Sequence, residues 1–253
     1  MRWSSKVESV TPRADGGCDV FFGDRAERFD IVVGADGAWS RVRALLTDAV
    51  PRYEGVTLVE LGFDARIHPR VDALVGAGKM FAVGDNRVLI GQRNGHHHIR
   101  GYAGLRIAEN TAREWTAQTP DRIRALLHEA FGGWASSLTY MIAQGDIIGV
   151  RPLYALLIGC SWQSRPGITL LGDAAHLMSP FSGEGVNLAL ADAADLADAL
   201  TSSGGWQAVA AYEAAITARA VPAAEGAAQG LNGAISSDGV PNVLAHYRER
   251  TEN

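Results

Sequence analysis

Two stretches of this chain share one layout: a short aliphatic run, a turn carrying glycine and aspartate, then residues at helical spacing. The first is Phe29-Asp30-Ile31-Val32-Val33-Gly34, which ends at Gly34-Ala35-Asp36-Gly37 and leads to a helix predicted over Ser40–Leu46 with Ser40 as its cap. The second is Gly167-Ile168-Thr169-Leu170-Leu171-Gly172-Asp173, followed by a glycine-rich stretch and an alanine-rich helix predicted over Val186–Leu200. Apolar runs without alternation suit strands covered on both faces, as in parallel sheets flanked by helices. An α/β fold follows.

The rest of the chain is arranged around these two units. Val7–Val10 and Cys18–Phe22 read as a hairpin turning at Ala14-Asp15-Gly16-Gly17. Across residues 51–150 the texture is alternating, with strands expected at Lys79–Val83, Arg87–Gln92 and Ile99–Leu105 and turns of Gly, Asn and Asp between them. Helices are expected at Ala112–Trp115 and Asp121–Phe131, the latter with Pro120 at its first position and capped by Thr119 or its neighbour. This middle portion is an antiparallel α+β unit. After Ser202-Ser203-Gly204-Gly205 a helix begins over Trp206 to Ala220 that Pro222 interrupts or kinks, and a terminal helix covers Asn242–Arg250.

Charge excludes several classes of partner. Lys and Arg number 23 against 28 Asp and Glu, a net charge of −5, and no basic run occurs, so nucleic acid is not an expected ligand. Cys18 and Cys160 are the only cysteines and lack zinc-site or disulfide-framework spacing, which fits a reducing compartment. No apolar stretch reaches the roughly 18 residues that a membrane helix needs, and the start lacks a signal-peptide core. A cytoplasmic protein is expected.

The chemistry concentrates in Gly172-Asp173-Ala174-Ala175-His176-Leu177-Met178-Ser179-Pro180-Phe181-Ser182-Gly183-Glu184-Gly185-Val186-Asn187. An acid stands at the carboxyl end of a buried strand, where open α/β sheets bind ligands, and suits a ribose or ribityl hydroxyl. Gly183 and Gly185 let the main chain approach a flat ligand, and the free N–H groups opening the next helix point at it. Such a helix start favours the anionic edge of a reduced flavin by about 0.3–2 kcal/mol.

This segment resembles the GD motif of the FAD-dependent, aromatic-hydroxylase-type (group A) flavoprotein monooxygenases, and Asp30–Arg43 is similar to their DG motif. The wording from Ala174 to Asn187 is nearest the tetracycline-inactivating branch. The resemblance implies an incomplete FAD-binding Rossmann-like domain of the glutathione-reductase type, residues 1–50 and 151–253, with an inserted antiparallel-sheet substrate domain, residues 51–150. It implies that Gly172 and Asp173 bind FAD, with Asp173 at its ribityl or pyrophosphate-proximal part. Gly183, Gly185, Val186 and Asn187 would then present backbone to the pyrimidine edge, and Pro180 and Phe181 would line the face where substrate meets flavin. Asp36 and Gly37 would shape the pyrophosphate and pyridine-nucleotide region, and Gln92 and Arg100 are candidates to line the substrate pocket, with cross-strand packing as the rival reading. The implied reaction is NAD(P)H- and O2-dependent hydroxylation of an aromatic or polyketide-like molecule, a tetracycline-like one among the candidates, through a flavin C4a-hydroperoxide. No side chain is assigned a catalytic role, because the cofactor carries the chemistry.

One family element is missing: no strand-GxGxxG-helix precedes Asp30, and Gly76-Ala77-Gly78 is followed by Lys79-Met80-Phe81. An amino-terminally truncated chain is the expectation, with a non-catalytic remnant that binds no FAD as the alternative. A hydrolase built on His176 with Ser179 or Ser182 is weaker, since no oxyanion-hole motif accompanies them. His96-His97-His98 reads as a solvated hairpin tip, not a metal site, and Asp192, Asp195 and Asp198 read as a solvated helix face.

Overall fold

The computed structural model describes residues 2–251 and separates into two compact units. Unit 1 combines Met1–Arg52 with Tyr154–Gln229, and unit 2 combines Tyr53–Leu153 with Gly230–Asn253, so the last segment clusters with the middle of the chain.

In unit 1, β1 (Ser9–Pro12), β2 (Cys18–Phe22) and β3 (Arg25–Phe29) form an antiparallel meander. The hairpin expectation lacked β3, whose charged Arg-Ala-Glu-Arg sequence hides its strand character; cross-strand pairing of Phe22 with Arg25 through Cys18 with Phe29 fixes it. β4 (Val32–Gly34) pairs in parallel with β10 (Ile168–Leu170), with Val32 opposite Ile168 and Gly34 opposite Leu170. The first strand is shorter than its apolar run suggests, because Phe29 ends β3 and Ile31 is 41% exposed. The helix expected over Ser40–Leu46 is a single 3-10 turn, Arg43–Leu45.

Gly34 is required by packing: a Cβ there would lie 2.5 Å from Leu170 Cδ2 and 2.8 Å from Val42 Cβ. The core of unit 1 gathers Val10, Cys18, Val20, Val42, Ile168, Leu170, Leu196, Val209, Tyr212 and Ile216. Within it the Tyr212 hydroxyl donates to the Leu170 carbonyl at 2.9 Å, satisfying a buried phenol. The short helix α5 (Asp173–His176), α6 (Gly185–Thr201) and α7 (Gly205–Ala234) follow. Pro222 does not break α7, which continues through it. An interior proline removes one hydrogen bond, and burial of Ile216, Ala220, Ala223 and Ala227 at helical spacing offsets that loss.

Unit 2 is a five-stranded antiparallel sheet, β6-β7-β8-β5-β9 in spatial order, from β5 (Arg52–Asp64), β6 (Lys79–Gly84), β7 (Arg87–Arg93), β8 (His98–Arg106) and β9 (Asp146–Ala155). Val59, Leu61, Phe63, Leu89, Ile99, Ala103 and Leu105 alternate onto one face, where α1 (Pro69–Val75), α2 (Glu109–Thr116), α3 (Pro120–Ala130) and α4 (Ser136–Gln144) bury them. Thr119 caps α3 by accepting the Arg122 N–H. α8 (Gly239–Thr251) closes the chain. Among the described residues no helix is long and apolar enough to cross a membrane.

Candidate functional site

Parallel pairing of β4 with β10 sends both glycine–aspartate turns out of the same end of the strands, the end at which α/β sheets bind ligands. Asp36 serves its own loop: Oδ1 accepts from Ser40 Oγ at 2.5 Å, and Oδ2 accepts from the Arg41 N–H at 2.7 Å. Ser40 Oγ in turn accepts the Arg43 N–H at 2.9 Å. Asp36 therefore sets the loop's shape, leaving Gly37, at φ +77, with open space at its Cα.

Arg43 joins the two turns and stands out only in three dimensions. Its side chain is buried and donates to the Ala38 carbonyl at 2.6 Å, the Ala49 carbonyl at 3.2 Å and the Ala174 carbonyl at 3.1 Å. Burial pulls its pKa below the usual arginine value, with Cys160 and Asp36 opposing. A guanidinium spends its rigid fork of donors on carbonyls here, so it clamps the first loop to α5 without a carboxylate partner.

At the second turn Gly172 adopts φ +58, a conformation that favours glycine, and a Cβ would come within 3.0 Å of Ala189 Cβ on α6. Its N–H donates to Asp192 Oδ2 at 2.9 Å. Asp192 lies fully buried, in contrast to the solvated face expected for it. Arg219 Nη2 donates to its Oδ1 at 2.9 Å, and His176 Nε2 lies 2.5 Å from its Oδ2. Arg219 also pairs with Asp195 at 2.7 Å, so two of the three helix aspartates serve one arginine of α7. Burial pushes the Asp192 pKa up, but the hydrogen bonds from His176, Gly172 and Arg219 outweigh it and hold the carboxyl below its ordinary value.

These contacts leave Asp173 exposed at the strand end, first residue of α5, with Gly172 behind it. Further on, the N–H groups opening α6 are not capped by any side chain of Glu184. Gly183 sits at φ +72, and a Cβ on either Gly183 or Gly185 would meet nothing within 4 Å. Val186 and Leu190 are 74% and 66% exposed on the first turns of α6, apolar surface that a flat ligand would cover. Asn187 is exposed beside them, Pro180 is exposed, and Phe181 is half-buried. A planar, partly anionic ligand fits this arrangement: open glycines, unpaired N–H donors at a 17-residue helix start, and apolar surface beside them.

The serine-hydrolase alternative finds no geometry. Ser179 Oγ donates to the Ala227 carbonyl at 3.2 Å, Ser182 Oγ contacts Met178 Sδ at 3.8 Å, and His176 Nδ1 has no hydrogen-bond partner. A shallow recess behind α5 is lined by Leu156, Cys160, His176, Ile216 and Ala220, and neither Gly183 nor Gly185 lines it. His96 and His97 sit exposed in the β7–β8 turn. Among the described residues no cluster of metal-ligating side chains occurs.

In unit 2, Gln92 and Arg100 are direct cross-strand partners on β7 and β8. Glu60 and Arg151, unmarked by any sequence motif, accompany them: Glu60 pairs with Arg100 at 2.8 Å and with Arg151 at 3.1 Å. Alternation marks Glu60 as an outward position on β5, but its partner on β9 is 91 residues away in sequence, a pairing no local pattern signals.

Comparison with known proteins agrees with the motifs. The family profile described as "FAD binding domain" matches residues 24–235. Monooxygenase asqM of Emericella nidulans is 31% identical across 79% of this chain and 57% of its own length. The 3-amino-4-hydroxybenzoate 2-monooxygenase PtnB3 of Streptomyces platensis is 30% identical, covering 79% of this chain and 49% of its own length. The chain thus spans about half the length of these curated relatives. Among solved structures, Klebsiella pneumoniae HpxO complexed with FAD and uric acid superposes with a TM-score of 0.78 at 22% identity, over 98% of this chain and 62% of that one.

Proposed function

Because the chain belongs to the FAD-binding family of aromatic-hydroxylase-type monooxygenases, we propose that unit 1 holds the ribityl and isoalloxazine portion of FAD and that unit 2 binds the substrate. The observation that carries this reading is the open start of α6, where unblocked Gly183 and Gly185 meet uncapped helix N–H groups.

When bound, FAD supplies the redox chemistry, with NAD(P)H as reductant and O2 as the source of the oxygen atom placed on an aromatic or polyketide-like substrate, a tetracycline-like one among the candidates. The residues of this chain bind, orient and shield. Asp173 would accept hydrogen bonds from ribityl hydroxyls, while Arg43 and Asp192 hold the two turns that present it. Backbone donors of Gly185, Val186 and Asn187 would meet the pyrimidine edge, where they and the helix dipole favour negative charge by about 0.3–2 kcal/mol. The exposed Val186 and Leu190 would cover one side of the ring and keep water from it. Pro180 and Phe181 stand on the substrate side.

The test is reconstitution. The purified chain titrated with FAD should quench flavin fluorescence, and Asp173→Asn and Gly185→Val should each weaken binding at least tenfold while leaving the melting temperature within a few degrees. Flavin fluorescence unchanged at high protein concentration would overturn the reading in favour of a remnant that binds no FAD. Substrate-stimulated NAD(P)H oxidation coupled to O2 uptake tests the finer assignment.

A further inference from the structure

The opening of α6 carries one charge that the proposed function leaves unused. From Leu177 to Ala191 the only ionisable side chain is Glu184, and it occupies the cap position of the helix, at φ −101 and ψ −16. Side chains that cap a helix start are short enough to turn back on its N–H groups, as those of Ser, Thr, Asp and Asn are; glutamate is not among them. The Glu184 carboxylate makes no capping hydrogen bond, enters no ion pair among the described residues, and belongs to an exposed residue. Its own N–H donates to Ser182 Oγ at 3.4 Å, so the backbone is anchored while the charge stays unanswered. No further acid stands in the first turn of the helix.

The other charged side chains around the two turns are engaged elsewhere. Arg43 spends its donors on the Ala38, Ala49 and Ala174 carbonyls, Arg41 donates to the Val7 carbonyl, and Arg219 pairs with Asp192 and Asp195. His176 is held by Asp192, Asp36 closes its own loop, and exposed Asp173 is itself an acid. The open N–H groups of Gly185, Val186 and Asn187 therefore lie under two opposed fields: a helix dipole equivalent to about half a positive charge, and a full negative charge on the residue before them. Hydrogen bonds from these N–H groups act at contact and hold a ring edge in either charge state, whereas a carboxylate beyond contact acts on charge alone. An oxidised isoalloxazine is neutral, and uptake of two electrons and one proton leaves it with one negative charge at its pyrimidine edge. The pyrophosphate charges of FAD are the same in both states and cancel from the comparison.

We propose that Glu184 tunes the reduction potential of the bound flavin, lowering it by opposing the negative charge that the open start of α6 attracts. The inference rests on the reading of unit 1 as the unit that holds FAD, and adds the residue by which this chain adjusts it. A lower potential makes the reduced ring a stronger electron donor to O2. Glu184 acts through its field and not by contact, so its removal changes the ratio of affinities for reduced and oxidised flavin more than the affinity for oxidised flavin itself.

The experiment measures the midpoint potential of FAD bound to the full chain, by equilibration with reference dyes, in wild type, Glu184→Gln and Glu184→Lys. Residue 184 is exposed, so neither substitution disturbs packing. One charge at a helix end changes the affinity for an anion about two- to fivefold; at about 30 mV per tenfold for a two-electron couple, Glu184→Gln should raise the potential by about 10–20 mV. Glu184→Lys changes the charge by two and should raise it by about 20–40 mV. At an ionic strength of about 1 M, where charges are screened within about 3 Å, the three proteins should agree to within about 1.5-fold in that ratio, or about 5 mV. A purely structural effect of residue 184 gives neither the graded response nor its loss in salt. Potentials unchanged by both substitutions, shifts of opposite sign for Gln and Lys, or shifts that persist in salt would overturn the proposal. Flavin fluorescence in the same samples separates the two readings. FAD uptake with equal potentials sinks this inference alone, and absence of quenching by all three proteins sinks the proposed cofactor function and this inference with it.

Discussion

Replacing Asp192 by alanine removes the one carboxylate that answers a backbone N–H, a histidine and an arginine inside unit 1. The side chain is 1% exposed, and its three contacts lie at 2.9, 2.5 and 2.9 Å. Breaking a buried charged pair by deleting one partner costs about 3–5 kcal/mol, most of it from the group left behind. Arg219 softens the loss, because it is 35% exposed and retains Asp195 at 2.7 Å, so the lower end, about 3 kcal/mol, is expected. The orphaned Gly172 N–H and His176 have no such reserve. For a unit of this size that corresponds to a fall in melting temperature of roughly 10 °C.

Asp192→Asn keeps the shape and one acceptor, and should cost about half as much. The pH dependence gives an independent check. A carboxylate whose folded pKa is depressed contributes stability that is present above its unfolded value, near 3.8, and lost as pH falls through the folded value. The carboxylate's share of the difference between wild type and Asp192→Asn should therefore be present above about pH 4 and shrink below it. Thermal and urea unfolding followed by circular dichroism read all of this. An alanine variant within about 0.5 kcal/mol of wild type at pH 7, the range of ordinary surface substitutions, would refute the claim that Asp192 organises the second turn.

Gly34→Ala would force a methyl group against Leu170 and Val42 in unit 1 and should cost about 1–3 kcal/mol by overpacking, read as a lower urea midpoint at unchanged slope. Arg43→Met keeps most of the volume but orphans the Ala38, Ala49 and Ala174 carbonyls. It should destabilise by about 2–3 kcal/mol and weaken FAD binding more than an Asp173 substitution weakens stability, checked by unfolding and flavin titration in parallel.

Much of the α/β plan was legible because its signals are local. A parallel strand buried on both faces announces itself as Ile168-Thr169-Leu170, the α6 helix as an alanine-rich run after paired glycines, and the α3 start as Thr119-Pro120. Charged β3 and the edge strand β9 escaped, since their pairing depends on partners and not on their own composition. The glycine and aspartate turns were likewise readable, because a left-handed φ at Gly172 or Gly183 is written in residue type.

By itself, then, the sequence determined the two turn-bearing strands and the open helix start, features that hydrophobic run, glycine and spacing specify within about twenty residues. Tertiary structure alone decided the fate of the charges. Asp192 is buried instead of solvated because α7 delivers Arg219 to it from 27 residues away, Arg43 becomes a clamp because α5 offers its carbonyls 131 residues later, and Glu60 meets Arg151 across 91. A charged side chain has no intrinsic inside or outside; its place depends on whether a distant partner offsets the cost of leaving water.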